Sequence, residues 1–170
     1  MKKTDIARLG HEDIIRLIGK EWMLVAAGTP DRYNMMTASW GGVGYLWNKP
    51  VCFVFIRPER YTYGFAEEQQ RMTLSFLQPG HREALNVCGT RSGRDTDKAA
   101  LSGLHPLALA PDAVGFGEAR LTLVCRKLYR TDLQAEGFID REALSRWYND
   151  RPGGSLHAVY VCEIEEVYEA

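Results

Sequence analysis

Strand-length segments of apolar residues, separated by short turns, recur along most of this chain and limit the folds it can adopt. Segments 22–27, 34–40 and 51–57 follow one another closely, with a turn at 28–31 between the first two. Three glycines at 41–44 allow the backbone to bend sharply, or to approach another group closely, before the third segment. Further strands are predicted at 72–77, 118–133 and 157–168, short helices near 12–18, 63–71, 81–88 and 140–148, and an irregular connection at 105–111.

The order of these elements distinguishes between the common architectures. No regular β-α-β alternation is visible, and no GxGxxG sequence follows a predicted strand. The pattern favours an antiparallel β-barrel with short inserted helices over a doubly wound parallel sheet. The chain of 170 residues is predicted to form one domain, 1–170, large enough to bury roughly 70% of its unfolded surface.

Charge and composition argue against several classes of partner. The 21 Lys and Arg residues nearly balance 22 Asp and Glu residues, which disfavours bulk binding to nucleic acid or to an anionic membrane. The longest apolar run, 51–56, is too short to span a bilayer, and no secretory signal is recognisable. The four cysteines form no CxxC pair and the four histidines are widely spaced. We therefore expect a cytoplasmic protein with reduced core thiols and no metal site.

Segment 34–40 is the first candidate for ligand binding. Asn34, Thr37 and Ser39 offer small polar groups to a flat polar ligand, and Trp40 supplies an aromatic wall. The alternative is an ordinary barrel strand whose hydroxyl groups face solvent.

Segment 57–62 is the second candidate. Arg57, Arg60 and Thr62 follow a predicted strand, and guanidinium and hydroxyl groups are typical ligands of phosphate oxygens. The alternative is a solvated turn.

Segment 88–98 is the third candidate. Its glycines allow backbone N–H groups to point at an anion, while Arg94 and Lys98 add positive charge. A polar surface loop would have the same composition, and the GxxxxGK[ST] phosphate loop is absent. Together the three segments indicate a phosphorylated planar ligand.

Five blocks in order carry a resemblance to a known family. They are NMMTASWGG at 34–42, KPVCFVFIRPERYT at 49–62, LSFL at 74–77, CGTRSGRDTDK at 88–98 and HAVYVCEI at 157–164. The chain resembles the flavin reductase-like family of FMN-binding split β-barrels, in particular its flavoredoxin-like branch, from about residue 20 to residue 164. The resemblance implies an antiparallel, Greek-key-like split barrel and a homodimer that holds FMN near the subunit interface.

The resemblance also implies roles for individual residues. Along the isoalloxazine and ribityl chain it places Asn34, Thr37, Ala38, Ser39 and Trp40. At the phosphate end it places Arg57, Arg60, Tyr61, Thr62 and Lys98, and it closes the pocket with Cys88, Gly89, Ser92, Gly93 and Arg94. A compact cluster of Arg57, Arg60 and Lys98 would suit one terminal phosphate, which favours FMN over FAD.

His157 is the candidate catalytic residue. It matches the position at which many flavin reductases carry a Gly-Asp-His triplet near the nicotinamide, although here Ser155 and Leu156 precede it and the aspartate is missing. Gly153 and Gly154 would let a substrate approach, and a pKa near neutrality would allow proton relay. The alternative is a strand-end histidine bonded to the backbone.

The function expected from the resemblance is an NAD(P)H-dependent oxidoreductase that passes electrons through bound FMN. Two alternatives stay open: an electron carrier reduced by a partner protein, and a protein that only binds FMN. The aromatic residues Trp40, Tyr45 and Trp47 would suit the core of a homodimer interface.

Overall fold

The computed structural model describes residues 1–148 and 155–170, so that Gly153 and Gly154 lie outside the described residues. The helices are α1 (Ile14–Arg16, continued by a π-helical turn at Leu17–Glu21), α2 (Tyr61–Glu68), α3 (Arg82–Thr90), α4 (Lys98–Ser102) and α5 (Arg141–Tyr148). The strands are β1 (Lys2–Thr4), β2 (Met23–Thr29), β3 (Arg32–Ala38), β4 (Gly41–Leu46), β5 (Lys49–Ile56), β6 (Arg71–Leu77), β7 (Pro106–Ala110), β8 (Ala113–Phe116), β9 (Ala119–Asp132) and β10 (Ala158–Glu169).

Seven strands form one continuous antiparallel sheet in the order β3-β2-β6-β9-β10-β5-β4, and β1 pairs with the end of β10. The two strands at the ends of this order, β3 and β4, are consecutive in the chain and are joined by Ser39 and Trp40. The short Ser39–Trp40 connection therefore crosses from one open edge of the sheet to the other. The sheet is a barrel that is split between β3 and β4.

The sheet is buried on both faces along β2, the strand next to the β3 edge. Met23, Val25 and Ala27 point into the main core inside the barrel. Leu24 and Ala26, which alternate with them, join a second core on the outer face. The second core is formed with α3, α4 and the β7–β8 hairpin, through residues that include Leu85, Cys88, Ala99, Leu104 and Phe116.

The fold class expected from the sequence is confirmed. The predicted strands 51–57, 72–77 and 118–133 correspond to β5, β6 and β9. Asp140 also caps α5 as its position indicates, because its side chain accepts from the backbone N–H groups of Glu142 and Ala143. All four cysteines are buried and unpaired. None of the helices in the described part of the chain is long and apolar enough to cross a bilayer.

Several local predictions are wrong. The glycine segment 41–44 is the start of β4 and not a sharp bend, because pairing with β5 supplies the hydrogen bonds that its residues alone do not encode. The close approach is found at Gly41, where a Cβ would stand 2.7 Å from the carbonyl oxygen of Phe53. The connection at 105–111 contains β7, whose Pro106 stands at the strand's first position, where no amide donor is required. Gly19 does not end the first helix but lies within the π-helical turn. The helix expected at 63–71 begins two residues earlier and ends at Glu68.

Candidate functional site

A cavity of about 200 Å³ opens at the split of the barrel, beside the Ser39–Trp40 connection. β3 and the connection supply one wall, while β5 and the residues that follow it supply the opposite wall. It is lined by Met36, Thr37, Ala38, Ser39, Trp40, Phe55, Arg57, Arg60 and His157. Seven of these nine side chains belong to the predicted site, so that the structure brings together residues more than 100 positions apart.

Aromatic rings surround one end of this cavity. The ring centroid of Trp40 lies 5.4 Å from that of His157 and 5.2 Å from that of Trp147 on α5. Trp40 is 40% exposed although it packs against both neighbours. A large, partly exposed aromatic surface at a cavity mouth is typical of a site that receives a flat ring.

His157 is held in place by Tyr148. It lies immediately before β10 and is 8% exposed, and its Nδ1 is 2.8 Å from the Tyr148 hydroxyl oxygen. Burial, and secondarily the charge of Arg57, lower the pKa of His157 to about 4. The expectation of a pKa near neutrality is therefore wrong, because desolvation disfavours the imidazolium. At pH 7 His157 is a neutral imidazole, which can bond to a ligand but is poorly suited to carry a proton.

Arg57 and Arg60 point in different directions although both line the cavity. Arg57 donates to the carbonyl oxygen of Trp147 at 2.5 Å, and its guanidinium lies 5.1 Å from the centre of the Tyr148 ring. Arg60 instead donates to the carbonyl oxygen of Cys88 at 3.3 Å. Arg57 thus belongs with α5 and the aromatic end, and Arg60 belongs with the far end of the site.

Lys98 is the second cation at that far end. It is 4% exposed, and its Nζ donates to the carbonyl oxygens of Met35 and, at 3.5 Å, of Cys88. Burial lowers the pKa of Lys98 to about 8. Arg60 and Lys98 thus share the Cys88 carbonyl, whereas Arg57 is directed toward α5, and the compact cluster of all three cations stays a prediction.

A second cavity, of about 340 Å³, lies beside Lys98 and the first half of β3. Asn34 forms its polar floor and donates from Nδ2 to the hydroxyl oxygen of the buried Thr62 at 2.8 Å. Gly93 packs so closely on Asn34 that a Cβ at this position would stand 2.0 Å from Oδ1. The ring of Tyr61 also lines the cavity and lies 4.9 Å from the guanidinium of Arg94.

The remaining predicted residues connect the two cavities through the end of α3. Thr37 donates from its hydroxyl to the carbonyl oxygen of Leu85 at 2.5 Å, and α3 packs so closely on Thr37 that a Cβ at Gly89 would stand 3.4 Å from the Thr37 Cβ. Cys88 presents its carbonyl rather than its thiol, because the thiol is buried and burial raises its pKa. Ser92 accepts from the backbone N–H of Arg94 and so shapes the loop after α3.

Sequence reasoning missed the aromatic residues beside the first cavity. Phe55 lies on β5, two residues before Arg57, which follows the end of the strand. The alternation of side chains along a strand predicts that both point to the same face, and both line the cavity. That period could have identified Phe55. Tyr148 and Trp147 carried no comparable signal, because only the packing of α5 against His157 and Trp40 brings them to the site.

A larger cavity, of about 540 Å³, lies elsewhere. Its charged side chains are largely satisfied within the protein, since Arg120 pairs with both Glu12 and Glu21. None of the predicted site residues lines it. We therefore place the candidate site at the split, where seven of the predicted site residues line one cavity.

Comparisons with known structures agree with this fold. Flavoredoxin from Methanosarcina acetivorans aligns with a TM-score of 0.68 at 20% identity, over 88% of this chain and 68% of that chain. Flavoredoxin of Desulfovibrio vulgaris (Miyazaki F) aligns at 0.67 and 23%, over 100% and 77%. The FMN-binding protein from Thermus thermophilus with bound p-hydroxybenzaldehyde aligns at 0.66 and 21%, over 88% and 71%.

The sequence carries the assignment to a family. No curated protein matches the chain. The family described as flavin reductase like domain, however, matches residues 15–170, which include both cavities and all the predicted site residues. The chain therefore belongs to the flavin reductase-like domain family.

Proposed function

We propose that this protein binds FMN along β3, across the two cavities, and acts as an NAD(P)H-dependent oxidoreductase. The observation that carries the proposal is the polarity of the site: aromatic rings stand at the Trp40 end, and the cations Arg60 and Lys98 stand at the Asn34 end. FMN has the same polarity, with a flat ring system at one end and a phosphate at the other. The similarity to flavoredoxins and to an FMN-binding protein supports this choice of ligand.

The residues present suit this cofactor in size and in donor chemistry. Six residue steps, four of them within β3, separate Asn34 from Trp40, and a fully extended chain of that length spans at most about 20 Å, on the scale of an extended FMN. Thr37, Ala38 and Ser39 lie between the two ends and line the cavity. Two cations near one backbone carbonyl provide charge for a single phosphate.

The chain's own contribution to catalysis is positioning. Bound FMN supplies the hydride and electron chemistry, while the protein orients its ring and the nicotinamide. Trp40 offers a face against which a flat ring packs, and His157 lies within the same wall. With Nδ1 engaged by Tyr148, the neutral imidazole presents Nε2 for a hydrogen bond to the nicotinamide carboxamide.

Anaerobic stopped-flow mixing of the FMN-loaded protein with NADH or NADPH tests the proposal directly. Rapid bleaching of the flavin absorbance with either nucleotide is the expected result. Bleaching only by a reduced partner protein would instead favour the electron carrier. If neither donor reduces the bound FMN, the result would favour a protein that only binds the cofactor.

We further propose a homodimer whose interface lies along the open edge at β4. Tyr45 is 70% and Trp47 56% exposed, and Trp47 stands in the left-handed region at φ 51° in the tight turn to β5. Such a position favours Asn or Gly, and a bulky residue there costs about 1–2 kcal/mol. A contact with a second copy would offset that cost and cover the edge. Sedimentation is expected to give a dimer at micromolar concentration, and a stable FMN-loaded monomer would contradict it.

A further inference from the structure

An aromatic slot adjoins the FMN site on the far side of Trp40. It is a cavity of about 280 Å³ between the Trp40 ring, the segment before α5 and α5 itself. We define it by its lining residues: Trp40, Phe138, Ala143, Trp147 and Tyr148. Four of these five residues are aromatic, and Trp40 also lines the cavity assigned to FMN.

The rings that line the aromatic slot contact one another in two edge-to-face pairs. Trp40 and Trp147 meet at 5.2 Å and 81°, and Phe138 and Tyr148 meet at 5.6 Å and 66°. The cavity lies against both pairs, whose ring edges and faces carry opposite partial charge and favour a further aromatic ring over an aliphatic one. Trp40 and Trp147 remain 40% and 46% exposed, and a ring in the slot would cover part of this surface.

The charges lie outside the aromatic slot. No charged side chain is among its five lining residues. The guanidinium groups of Arg57 and Arg146 lie 5.1 and 5.2 Å from the ring centres of Tyr148 and Trp147, although neither residue is part of the lining. The lining suits an uncharged ligand because it holds no ion to pair with a charged group.

Tyr148 gives the aromatic slot one polar group. Its hydroxyl is bonded to Nδ1 of His157, and burial raises the pKa of Tyr148, so the phenol stays protonated at neutral pH. The hydroxyl forms one hydrogen bond with the imidazole and can form a second with a ligand. A ligand that carries one hydroxyl or carbonyl group on its ring can use that capacity, next to the proposed nicotinamide contact.

From this geometry we infer that the aromatic slot binds a neutral aromatic ligand of one or two rings with a single hydrogen-bonding substituent. The inference rests on the proposed function, since such a ligand would pack on the Trp40 ring that also borders the proposed flavin site. α5 would thereby select this ligand, while β3 and the loop after α3 would bind the cofactor.

The test uses 2-naphthol as the probe, with decahydro-2-naphthol as its saturated counterpart. Binding to the FMN-loaded protein is measured by isothermal titration calorimetry, and FMN content is measured separately from absorbance. We expect 2-naphthol to bind at least about tenfold more tightly than decahydro-2-naphthol. Phe138→Ala should weaken 2-naphthol binding about tenfold, with FMN content unchanged.

Ile139→Ala is the matched control, because Ile139 follows Phe138 directly but is fully exposed and does not line the slot. It should leave naphthol binding unchanged. Three results would overturn the inference and leave the proposed function intact. The two probes could bind with equal affinity, the two variants could lose equal affinity for 2-naphthol, or 2-naphthol could fail to bind the FMN-loaded protein. A shift from dimer to monomer on adding 2-naphthol would also overturn it, because the slot would then be part of the subunit contact. A protein that holds no FMN would refute the proposed function instead, and calorimetry on that protein would still report on the slot.

Discussion

The two ends of the site are built from different interactions. At the Asn34 end, buried polar groups are paired with one another: Asn34 with Thr62, and Lys98 with two backbone carbonyls. At the Trp40 end, the side chains meet through ring contacts at about 5 Å, and two of the rings are substantially exposed. Directional bonds fix the first end in one geometry, whereas ring packing tolerates several ligands at the second. For the proposed function, this difference would make the Asn34 end specific for its ligand and the Trp40 end adaptable.

The largest effect is expected from Arg60→Ala, which acts on the polar end. Loss of a charge-assisted contact to the phosphate should weaken FMN binding by about 1.5–3 kcal/mol, or roughly 10- to 150-fold in Kd. Fluorescence titration of the apoprotein with FMN measures the change. Arg16→Ala is the control, because Arg16 is exposed and pairs with Glu21 far from the site. An unchanged Kd, or FAD extracted from the protein, would contradict the assignment.

Gly93→Ala tests how rigid the polar end is. The added Cβ would meet Asn34 Oδ1 at 2.0 Å, and relieving this clash should cost about 1–3 kcal/mol in the free energy of unfolding. Urea denaturation measures it. Gly64→Ala in α2 is the matched control, since nothing lies within 4 Å of its Cβ, and it should stabilise the protein by up to about 1 kcal/mol. Equal stability of the Gly93 variant and the wild type would mean that the loop yields freely.

His157→Asn tests the aromatic end. With FMN content unchanged, hydride transfer from NAD(P)H should slow at least about tenfold, or about 1.4 kcal/mol in the barrier, because the contact to the nicotinamide is lost. Stopped-flow bleaching measures the rate. In the wild type this rate should show no step near pH 6.5, because burial places the pKa of His157 at about 4. An unaltered rate in the variant would leave His157 with a structural role.

The smallest effect is a pH dependence of FMN affinity that Lys98 controls. Its pKa of about 8 without ligand means that the ammonium loses its proton above that pH, whereas the phosphate should raise its pKa. Binding is then coupled to proton uptake, and affinity should fall by up to about tenfold between pH 7 and pH 9. The phosphate itself is already doubly ionised there. Lys98→Met should abolish the dependence, and a flat wild-type profile would refute it.

Lys98 should have the opposite effect on stability: FMN affinity falls as the pH rises, whereas the free energy of unfolding increases. Between pH 8 and pH 10.5 the unfolded chain binds more protons at this lysine than the folded one. This contribution therefore makes the FMN-free protein more stable as the pH rises through that window. Comparison of wild type and Lys98→Met by urea denaturation isolates it.

The sequence was most informative where local pattern and tertiary role coincide. The apolar runs of β5 and β6, and the Asp140 cap of α5, follow from residue type alone. β4 could not be predicted from residue type, because its glycines carry no strand preference and its pairing partner β5 lies across a turn. Lys98 was recognised as a cation, but its burial depends on the distant Met35 carbonyl. The position of α5 over His157 depends on tertiary packing in the same way.

The buried thiols provide the protein with an internal reporter of unfolding. Cys52, Cys125 and Cys162 lie inside the barrel on adjacent strands, and Cys88 lies in the outer core, all four with essentially no accessible surface. An alkylating reagent can modify them only when the structure around them opens, and only as the thiolate that burial suppresses. Labelling of Cys88 would report the opening of the outer layer, and labelling of the other three would report the opening of the barrel.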